Sequence, residues 1–313
     1  MRILIAGTGG VGGYYGARLA AGGHDVEFLA RGPMLEALRT NGLELRADLG
    51  DLRLEHVHAT DRVDHDVPAE AVLFVVKSYD NAEAADAIAP AVAEDTIVCS
   101  LQNGVDNEAF LMERFPRATV LGGTSRIEAF VAEPGVIEQR GRQSEVTLGA
   151  FTVDERPAAA HLGAAFDKAG VPVTLAADIH SALWQKLVVI SGLGGITAFA
   201  RKTIGEVLAD EDLRTMLRAL LDETEAVARA SEIAVPDGIA DVVFAYAQNS
   251  LDPSFLSSMA RDALRGRPLE VESLNGAVVR YGAAAGVPIP ANGRVVDELL
   301  PLHRAAMAGR AGF

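Results

Sequence analysis

The glycine run near the start of the chain has the residue types and spacing of a phosphate-binding turn. It follows an apolar run from Met1 to Ala6 and precedes a helical pattern over residues 13–21. In a Gly-x-Gly-x-x-Gly turn between a strand and a helix, the first glycine permits the tight turn, the second lets backbone amides approach a pyrophosphate, and the third lets the helix pack against the strand. The pyrophosphate lies at the helix N-terminus, so this context predicts a dinucleotide site rather than a glycine-rich turn without a ligand. The predicted binding residues are Gly7, Thr8, Gly9, Gly10, Val11 and Gly12.

The end of the second predicted strand, residues 24–30, indicates which dinucleotide binds. NAD-binding proteins usually carry an acidic residue at this point, which accepts a hydrogen bond from the ribose 2′-hydroxyl. Here the strand runs into Ala30-Arg31-Gly32 and has no acid at its tip. The planar, permanently charged guanidinium of Arg31 instead suits a 2′-phosphate, so the predicted cofactor is NADP(H). The alternative for Arg31 is an exposed loop charge.

Two polar residues directly follow buried strands of the predicted sheet. Lys77 follows the strand that ends at Val76, and Asn103 follows the strand of residues 96–101. Ligands of open α/β sheets bind outside the carboxyl ends of the strands, so both residues are candidates for contacts with a cofactor or substrate. Taken singly, each has a plainer interpretation, as a solvated loop lysine or a turn-forming asparagine.

Lys186 lies among apolar residues, in the segment Leu183–Ile190. Burial lowers the pKa of a lysine, which brings an ammonium group closer to the acidity needed to protonate an alkoxide. The alternative is a lysine whose stem covers apolar surface. Farther along the chain, Ser257 and Ser258 precede a mixed-charge stretch that includes Glu270. Spacing alone indicates only helix capping by the serines and a solvated helix start there.

The composition excludes several classes of function. The net charge of −15 opposes nonspecific binding to nucleic acid or to anionic membranes. The single Cys99 excludes a disulfide framework and is predicted to be a small buried strand residue. His56 and His58 alternate within a predicted strand, residues 52–58, and no metal site is predicted. Because the first strand begins at Met1 and no charge-free stretch reaches membrane-spanning length, we expect a cytoplasmic enzyme.

Hydrophobic periodicity predicts an α/β N-terminal domain over residues 1–178, a Rossmann domain with a doubly wound, mostly parallel sheet. The two strands after Gly122 are close in sequence and are predicted to be an antiparallel addition. Predicted helices cover residues 81–92 and 107–115. The predicted strands are residues 1–6, 24–30, 71–76, 96–101, 119–122, 135–139, 145–149 and 171–175.

Residues 179–313 are predicted to form an all-helical C-terminal domain that binds substrate and mediates dimerisation, with a homodimer as the expected assembly. The cleft between the two domains is the expected reaction site. The Ala- and Gly-rich tail after Ala305 is expected to fray. Predicted helices cover residues 179–199, 204–231, 239–248 and 269–285.

The ordered set of motifs, from Met1 to about Asn292, resembles the ketopantoate reductase (2-dehydropantoate 2-reductase) family. The motifs that carry the resemblance are the glycine turn, Ala30-Arg31-Gly32, residues 76–79, residues 101–104, residues 184–187, and Ser257-Ser258-Met259 through Glu270. The resemblance implies a Rossmann domain followed by a helical domain, and reduction of 2-dehydropantoate to pantoate by NADPH in the route to pantothenate and coenzyme A.

The resemblance also assigns roles to individual residues. It implies that Lys186 is the proton donor and a substrate contact. Ser258 is implied to contact the substrate carboxylate, and Asn103 to contact both substrate and cofactor. The remaining implied cofactor contacts are the glycine turn, Arg31, Lys77 and Glu270, where the alternative for Glu270 is a helix cap.

The chain departs from the family at three positions where asparagines usually bind the substrate. These positions hold Ile190, Gly194 and Ile204, and an apolar residue does not replace the hydrogen bonds of an amide. Either Ser191, Thr197 or another group substitutes, or the substrate is a different, more apolar 2-oxo acid. A nicotinamide-binding sensor without turnover is the alternative from another functional class.

Overall fold

The computed structural model describes residues 1–63 and 67–310, which divide into two compact units. The first unit, here the sheet unit, contains residues up to Gln102 and Asn107–Ile179. The second, here the helical unit, contains the short segment Asn103–Asp106 and the residues from His180 onward. Each unit has its own hydrophobic core.

The sheet unit is built on a parallel sheet with helices between successive strands, as the periodicity predicts. The strands of its parallel part lie in the order Thr119–Glu133 (β8), Ile97–Ser100 (β7), Ala71–Phe74 (β6), Arg2–Ala6 (β1), Asp25–Leu29 (β2) and His58–Thr60 (β5). Alternate residues of the first strand enter different cores, with Ile3 and Ile5 in one and Leu4 and Ala6 in the other. The sheet is therefore buried on both faces, which explains its continuous apolar runs. The elements are β1 (Arg2–Ala6), α1 (Gly10–Ala21), β2 (Asp25–Leu29), α2 (Gly32–Asn41), β5 (His58–Thr60), β6 (Ala71–Phe74), α3 (Asn81–Ile88), β7 (Ile97–Ser100), α4 (Asn107–Arg114) and β8 (Thr119–Glu133).

An antiparallel extension widens the sheet beyond β8. The strand β9 (Val136–Ala150) pairs antiparallel with β8, so the predicted orientation is confirmed. The predicted break between residues 139 and 145 is wrong, because the exposed residues 140–143 stay in one continuous strand. The extension is completed by β3 (Leu43–Ala47), β4 (Leu52–Leu54), α5 (Arg156–Lys168) and β10 (Val173–Leu175).

The predicted strand over residues 52–58 is also wrong. Its residues are divided between β4 and β5, which lie at opposite ends of the sheet order. His56 lies in the turn between them, so His56 and His58 do not share a strand face. The sequence gave no sign of this turn, since residues 52–58 contain neither glycine nor proline.

The helical unit has more breaks than its periodicity predicts. Asp210 caps the N-terminus of a new helix, so the predicted helix over residues 204–231 is two helices. The helix predicted from Leu269 begins at Asn275, after a series of turns. Sequence periodicity missed α11 and α13. The helices are α6 (Ile179–Val189), α7 (Gly195–Ala200), α8 (Ile204–Ala209), α9 (Glu211–Ala230), α10 (Ile239–Asn249), α11 (Ser258–Leu264), α12 (Asn275–Ala285) and α13 (Pro290–Ala308).

One π-helical turn, Ile190–Gly194, connects α6 directly to α7, so the two helices follow one another without a loop. The whole stretch Ile179–Ala200 has 22 residues, and within the described part of the chain it alone has the length and apolar composition of a membrane-spanning helix. However, 67% of its most apolar window is buried inside the structure. It is therefore the central helix of a folded core.

Candidate active site

The glycine turn has the backbone that a pyrophosphate requires. Gly7 has a φ of 109°, a backbone conformation that residues with a side chain rarely adopt. A Cβ on Gly12 would lie 2.0 Å from the Gly7 carbonyl oxygen, so only glycine fits there. A Cβ on Gly9, by contrast, would meet no heavy atom within 4 Å. Gly9 is the N-cap of α1, no side chain caps this helix, and its first turn contains no acidic residue. The space above Gly9 and the helix N-terminus therefore fit an anionic group.

Thr8 connects this turn to the second strand. Its Oγ1 is buried and donates a hydrogen bond of 3.0 Å to the carbonyl oxygen of Leu29, the last residue of β2. Gly10 is in close contact with the antiparallel extension, since a Cβ there would lie 2.2 Å from the Ala129 carbonyl oxygen. The turn and the end of β2 are consequently fixed against each other.

Arg31 lies at the end of β2, where the sequence placed it, as the N-cap residue of α2. Its side chain is 27% exposed and forms an ion pair with Glu83 of α3, with an Nη1–Oε1 distance of 2.9 Å. Sequence reasoning missed Glu83, which is 52 residues away and has no local pattern that distinguishes it.

A buried amide network fixes the loops that follow β6 and β7. The Gln102 side chain, only 5% exposed, donates hydrogen bonds of 2.7 Å to the Val76 carbonyl oxygen and to Asn81 Oδ1. Asn81 in turn donates to Asn107 Oδ1 at 3.1 Å. The backbone just before Lys77 is thereby positioned. Gln102 was overlooked in favour of its neighbour Asn103.

Asn103 begins the four-residue segment that belongs to the helical unit. Val105 packs against the helical core, and Asp106 forms an ion pair with Arg280. Gly104 has a φ of 108°, which allows the chain to leave the strand sharply at this point.

Lys186 is half-buried on α6, one turn before the π-helical turn. Its neighbours Leu187 and Val188 are buried, and Trp184 packs edge to face with Tyr281 of α12 at a ring distance of 5.1 Å. π-Helical turns are rare and frequently occur at functional sites. The packing of these neighbours holds the backbone of Lys186 in place.

A second buried network supports the π-helical turn. Asn275, fully buried, donates hydrogen bonds to the Ser191 carbonyl oxygen at 3.0 Å and to Asn292 Oδ1 at 2.9 Å. Ser191 Oγ lies 3.0 Å from Thr224 Oγ1. The carbonyl group of the widened turn therefore has a partner, as a buried backbone group requires. No sequence signal identified Asn275.

The two residues suggested as substitutes for the missing asparagines are buried and hydrogen-bonded within the helical unit. Ser191 and Thr197 are fully buried; Thr197 Oγ1 donates to the Leu193 carbonyl oxygen at 2.7 Å and lies 2.8 Å from Ser257 Oγ. Ile204 is also fully buried, in the helical core. These three side chains have structural roles within the helical unit.

Ile190 and Gly194, unlike Ser191, Thr197 and Ile204, adjoin the edge of the core or an open space. Ile190 is half-buried at the edge of the core, and a Cβ on Gly194 would meet no heavy atom within 4 Å. Lys186, Ile190 and Gly194 are four residues apart, so they follow one another along the helix. The chain therefore has an apolar side chain and an open space beyond Lys186.

The serine pair has divided roles. Ser257 is the N-cap of α11 and accepts a hydrogen bond from the Ala260 backbone N–H at 3.0 Å, as capping predicts. Ser258, the first residue of that helix, is exposed. Glu270 is 6% exposed. The N-cap residue of α12 is Leu274, and the role of Glu270 stays a prediction.

Cys99 is buried, as predicted, and burial raises the pKa of its thiol. Within residues 1–63 and 67–310, no group of three or more His, Cys, Asp or Glu side chains has the arrangement of a metal site.

Comparison with known proteins identifies the family. The model of ketopantoate reductase PanE/ApbA matches residues 3–152, and the model of its C-terminal region matches residues 178–302. The 2-dehydropantoate 2-reductase of Halobacterium salinarum is 31% identical over 98% of this chain and 99% of its own length. The corresponding protein of Archaeoglobus fulgidus is 32% identical over 98% of both chains.

Solved structures agree with these matches. A PanE/ApbA family ketopantoate reductase from Ralstonia eutropha has a TM-score of 0.89 at 33% identity, and the alignment covers 98% of this chain and 100% of the other. A D-mandelate dehydrogenase solved with NADH has the same fold, with a TM-score of 0.89 at 20% identity over 98% of this chain and 99% of the other. Since the family models and the full-length relatives cover both units, the chain belongs to the ketopantoate reductase family.

Proposed function

We propose that this protein reduces the C2 ketone of 2-dehydropantoate to the alcohol of pantoate, with NADPH as the cofactor. The observation that carries the proposal is the match, over nearly the full length of the chain, to relatives named 2-dehydropantoate 2-reductase. The reaction belongs to the route to pantothenate and coenzyme A.

The sheet unit provides the groups that bind the pyrophosphate and the 2′-phosphate in this proposal. The glycine turn, residues 7–12, takes the pyrophosphate at the N-terminus of α1, where the space above Gly9 is open. Arg31 takes the 2′-phosphate through its guanidinium group. Lys77, Asn103 and Glu270 are further cofactor contacts.

Lys186 is proposed as the catalytic residue. The hydride for C2 comes from the bound nicotinamide, and negative charge develops on the ketone oxygen. The Lys186 ammonium stabilises that charge and donates a proton to the oxygen, which completes the alcohol, and the lysine recovers its proton from solvent. Asn103 contacts the substrate beside Lys186, and Ser258 binds its carboxylate.

One specific observation favours a second candidate substrate. The apolar Ile190 and the open space at Gly194 fit a more apolar 2-oxo acid at least as well as a hydroxyl-bearing one. The same cofactor groups and Lys186 would serve that reaction.

The deciding experiment follows NADPH absorbance with purified protein and 2-dehydropantoate, beside 2-oxoisovalerate, pyruvate and other 2-oxo acids, with NADH as the cofactor control. We expect the largest kcat/KM with 2-dehydropantoate and NADPH. Preference for an apolar 2-oxo acid would move the assignment to the second candidate. Tight NADPH binding without turnover of any substrate would instead indicate a sensor.

A cytoplasmic location, a homodimer, and a boundary at residue 178 between a cofactor domain and a substrate domain belong to the same proposal. Light scattering tests the dimer, with an expected mass of twice the 32.9 kDa of one chain.

A further inference from the structure

The ion pair between Arg31 and Glu83 places a carboxylate beside the end of β2, where the local sequence contains no acidic residue. Arg31 is at the end of β2, and Glu83 is in the first turn of α3. Their side chains are 27% and 49% exposed, so the pair is open to solvent on one side.

Sheet order places this pair at the cofactor edge. The strand β1 lies between β2 and β6, and residues Ala6, Leu29 and Phe74 are in register at its carboxyl end. The chain continues from β1 into the glycine turn, from β2 to Arg31, and from β6 towards Glu83. The ion pair therefore spans the end of β1. Thr8 fixes the glycine turn to Leu29 on the same edge.

A carboxylate and a guanidinium at this edge have opposite preferences for the ribose substituent. A carboxylate accepts a hydrogen bond from a free 2′-hydroxyl, whereas a guanidinium binds a 2′-phosphate. A 2′-phosphate that pairs with Arg31 approaches a second negative charge on Glu83, which is unfavourable.

We propose that Glu83 is a specificity-determining residue, which together with Arg31 recognises the 2′ position of the adenosine ribose and sets how strongly this protein prefers NADP(H) over NAD(H). Glu83 weakens the preference for the 2′-phosphate that Arg31 alone would give. The inference rests on the proposed nicotinamide cofactor but not on the proposed keto acid.

The test is calorimetric titration of the wild-type protein and the Glu83→Gln variant with NADP⁺ and with NAD⁺, without any keto acid. We expect the ratio of Kd for NAD⁺ to Kd for NADP⁺ to rise about threefold to fivefold in the variant, the size of a partly exposed charge interaction. A ratio that stays the same or falls would overturn the proposal. Glu83→Ala, measured in the same way, must shift the ratio in the same direction as Glu83→Gln.

The matched control is Asp86→Asn on the same helix. Asp86 forms an ion pair with Arg114 at 3.0 Å instead of with Arg31, and its removal changes the net charge by the same amount. The ratio should stay at the wild-type value. An equal shift in Asp86→Asn would assign the effect to net charge and overturn the role of Glu83. If neither nucleotide binds the wild-type protein, the proposed function fails as well.

Discussion

Among single residues, Lys186 provides the most direct test of the chemistry. Replacement by methionine keeps the length of the side chain but removes the proton and the charge. We expect kcat to fall by about 10²- to 10⁴-fold, the usual contribution of a general acid, while the Kd for NADPH in a direct titration stays close to the wild-type value. The exposed Lys168, on α5, gives the control variant Lys168→Met. Near-normal turnover of Lys186→Met would remove the lysine from the mechanism.

Gly194 tests whether the open space affects substrate choice. A Cβ at this position meets no heavy atom within 4 Å, so Gly194→Asn adds its first side-chain atom without a clash. If an amide reaches the substrate hydroxyl there, kcat/KM for 2-dehydropantoate should rise relative to 2-oxoisovalerate by about 2- to 10-fold, the value of one hydrogen bond. The measurement is the ratio of the two specificity constants.

The control is the next glycine, where a side chain has no room. A Cβ on Gly195 would lie 2.7 Å from Asn275 Nδ2, so Gly195→Asn should lower the free energy of unfolding. An unchanged specificity ratio in a well-folded Gly194→Asn protein would mean that the space does not adjoin the substrate.

Local pattern predicted the residues that act through short-range geometry, and missed those that act through long-range contacts. The positions of the glycine turn and of Arg31 in the fold could be predicted because their spacing relative to one strand and one helix is itself the signal. Glu83 and Asn275 were missed because each acts on a residue 52 or 84 positions away. Only the fold brings such partners together.

Among the structural elements, α13 is connected to the segment before Glu270 through His303. The backbone N–H of Leu269 donates to His303 Nδ1 at 3.1 Å, and the imidazole is buried. Burial holds the pKa of His303 below its ordinary value of 6.5, although the nearby Glu272 acts in the opposite direction. A protonated Nδ1 is unable to accept the hydrogen bond, so folding favours the neutral ring.

The sign of the pH effect follows from this shift. Between the lowered pKa of the folded state and 6.5, the unfolded chain binds more protons at His303 than the folded protein does, so stability rises with pH across that interval. Urea unfolding is followed by the fluorescence of Trp184, the single tryptophan, which lies in the helical core. We expect stability to fall as the pH drops below 6.5, and less steeply in His303→Gln, which keeps an acceptor but does not titrate. Equal pH slopes in the two proteins would contradict the assignment.

The type of the main core elements was predictable, whereas their number and their ends were not. The buried parallel strands are apolar throughout, so their runs identify them. The long strands β8 and β9 continue through polar, partly exposed residues, where hydrophobic periodicity is lost. The π-helical turn at Ile190–Gly194 has the same apolar composition as the helices on either side and is supported by the distant Asn275. Composition alone therefore predicts one continuous α-helix over residues 179–199.

At the scale of the whole molecule, each of the two units has its own hydrophobic core. A nucleotide that binds the folded sheet unit should raise the temperature at which that unit unfolds. This stabilisation should depend on the glycine turn. Nucleotide at about 100 times its Kd adds about 2.7 kcal/mol to the free energy of unfolding. Calorimetry with and without NADP⁺ measures the shift, and Trp184 fluorescence identifies the transition of the helical unit.

The variant Gly9→Asp separates binding from folding. Its side chain enters the open space above Gly9, and aspartate is a favourable N-cap, so the variant should fold at least as well as the wild type. Its carboxylate, however, occupies the place of the pyrophosphate and repels it, so the stabilisation by NADP⁺ should disappear. If NADP⁺ raised the transition temperature of Gly9→Asp as much as that of the wild type, the nucleotide would have to bind elsewhere. Loss of the shift together with unchanged stability of the free protein would place the pyrophosphate at the N-terminus of α1.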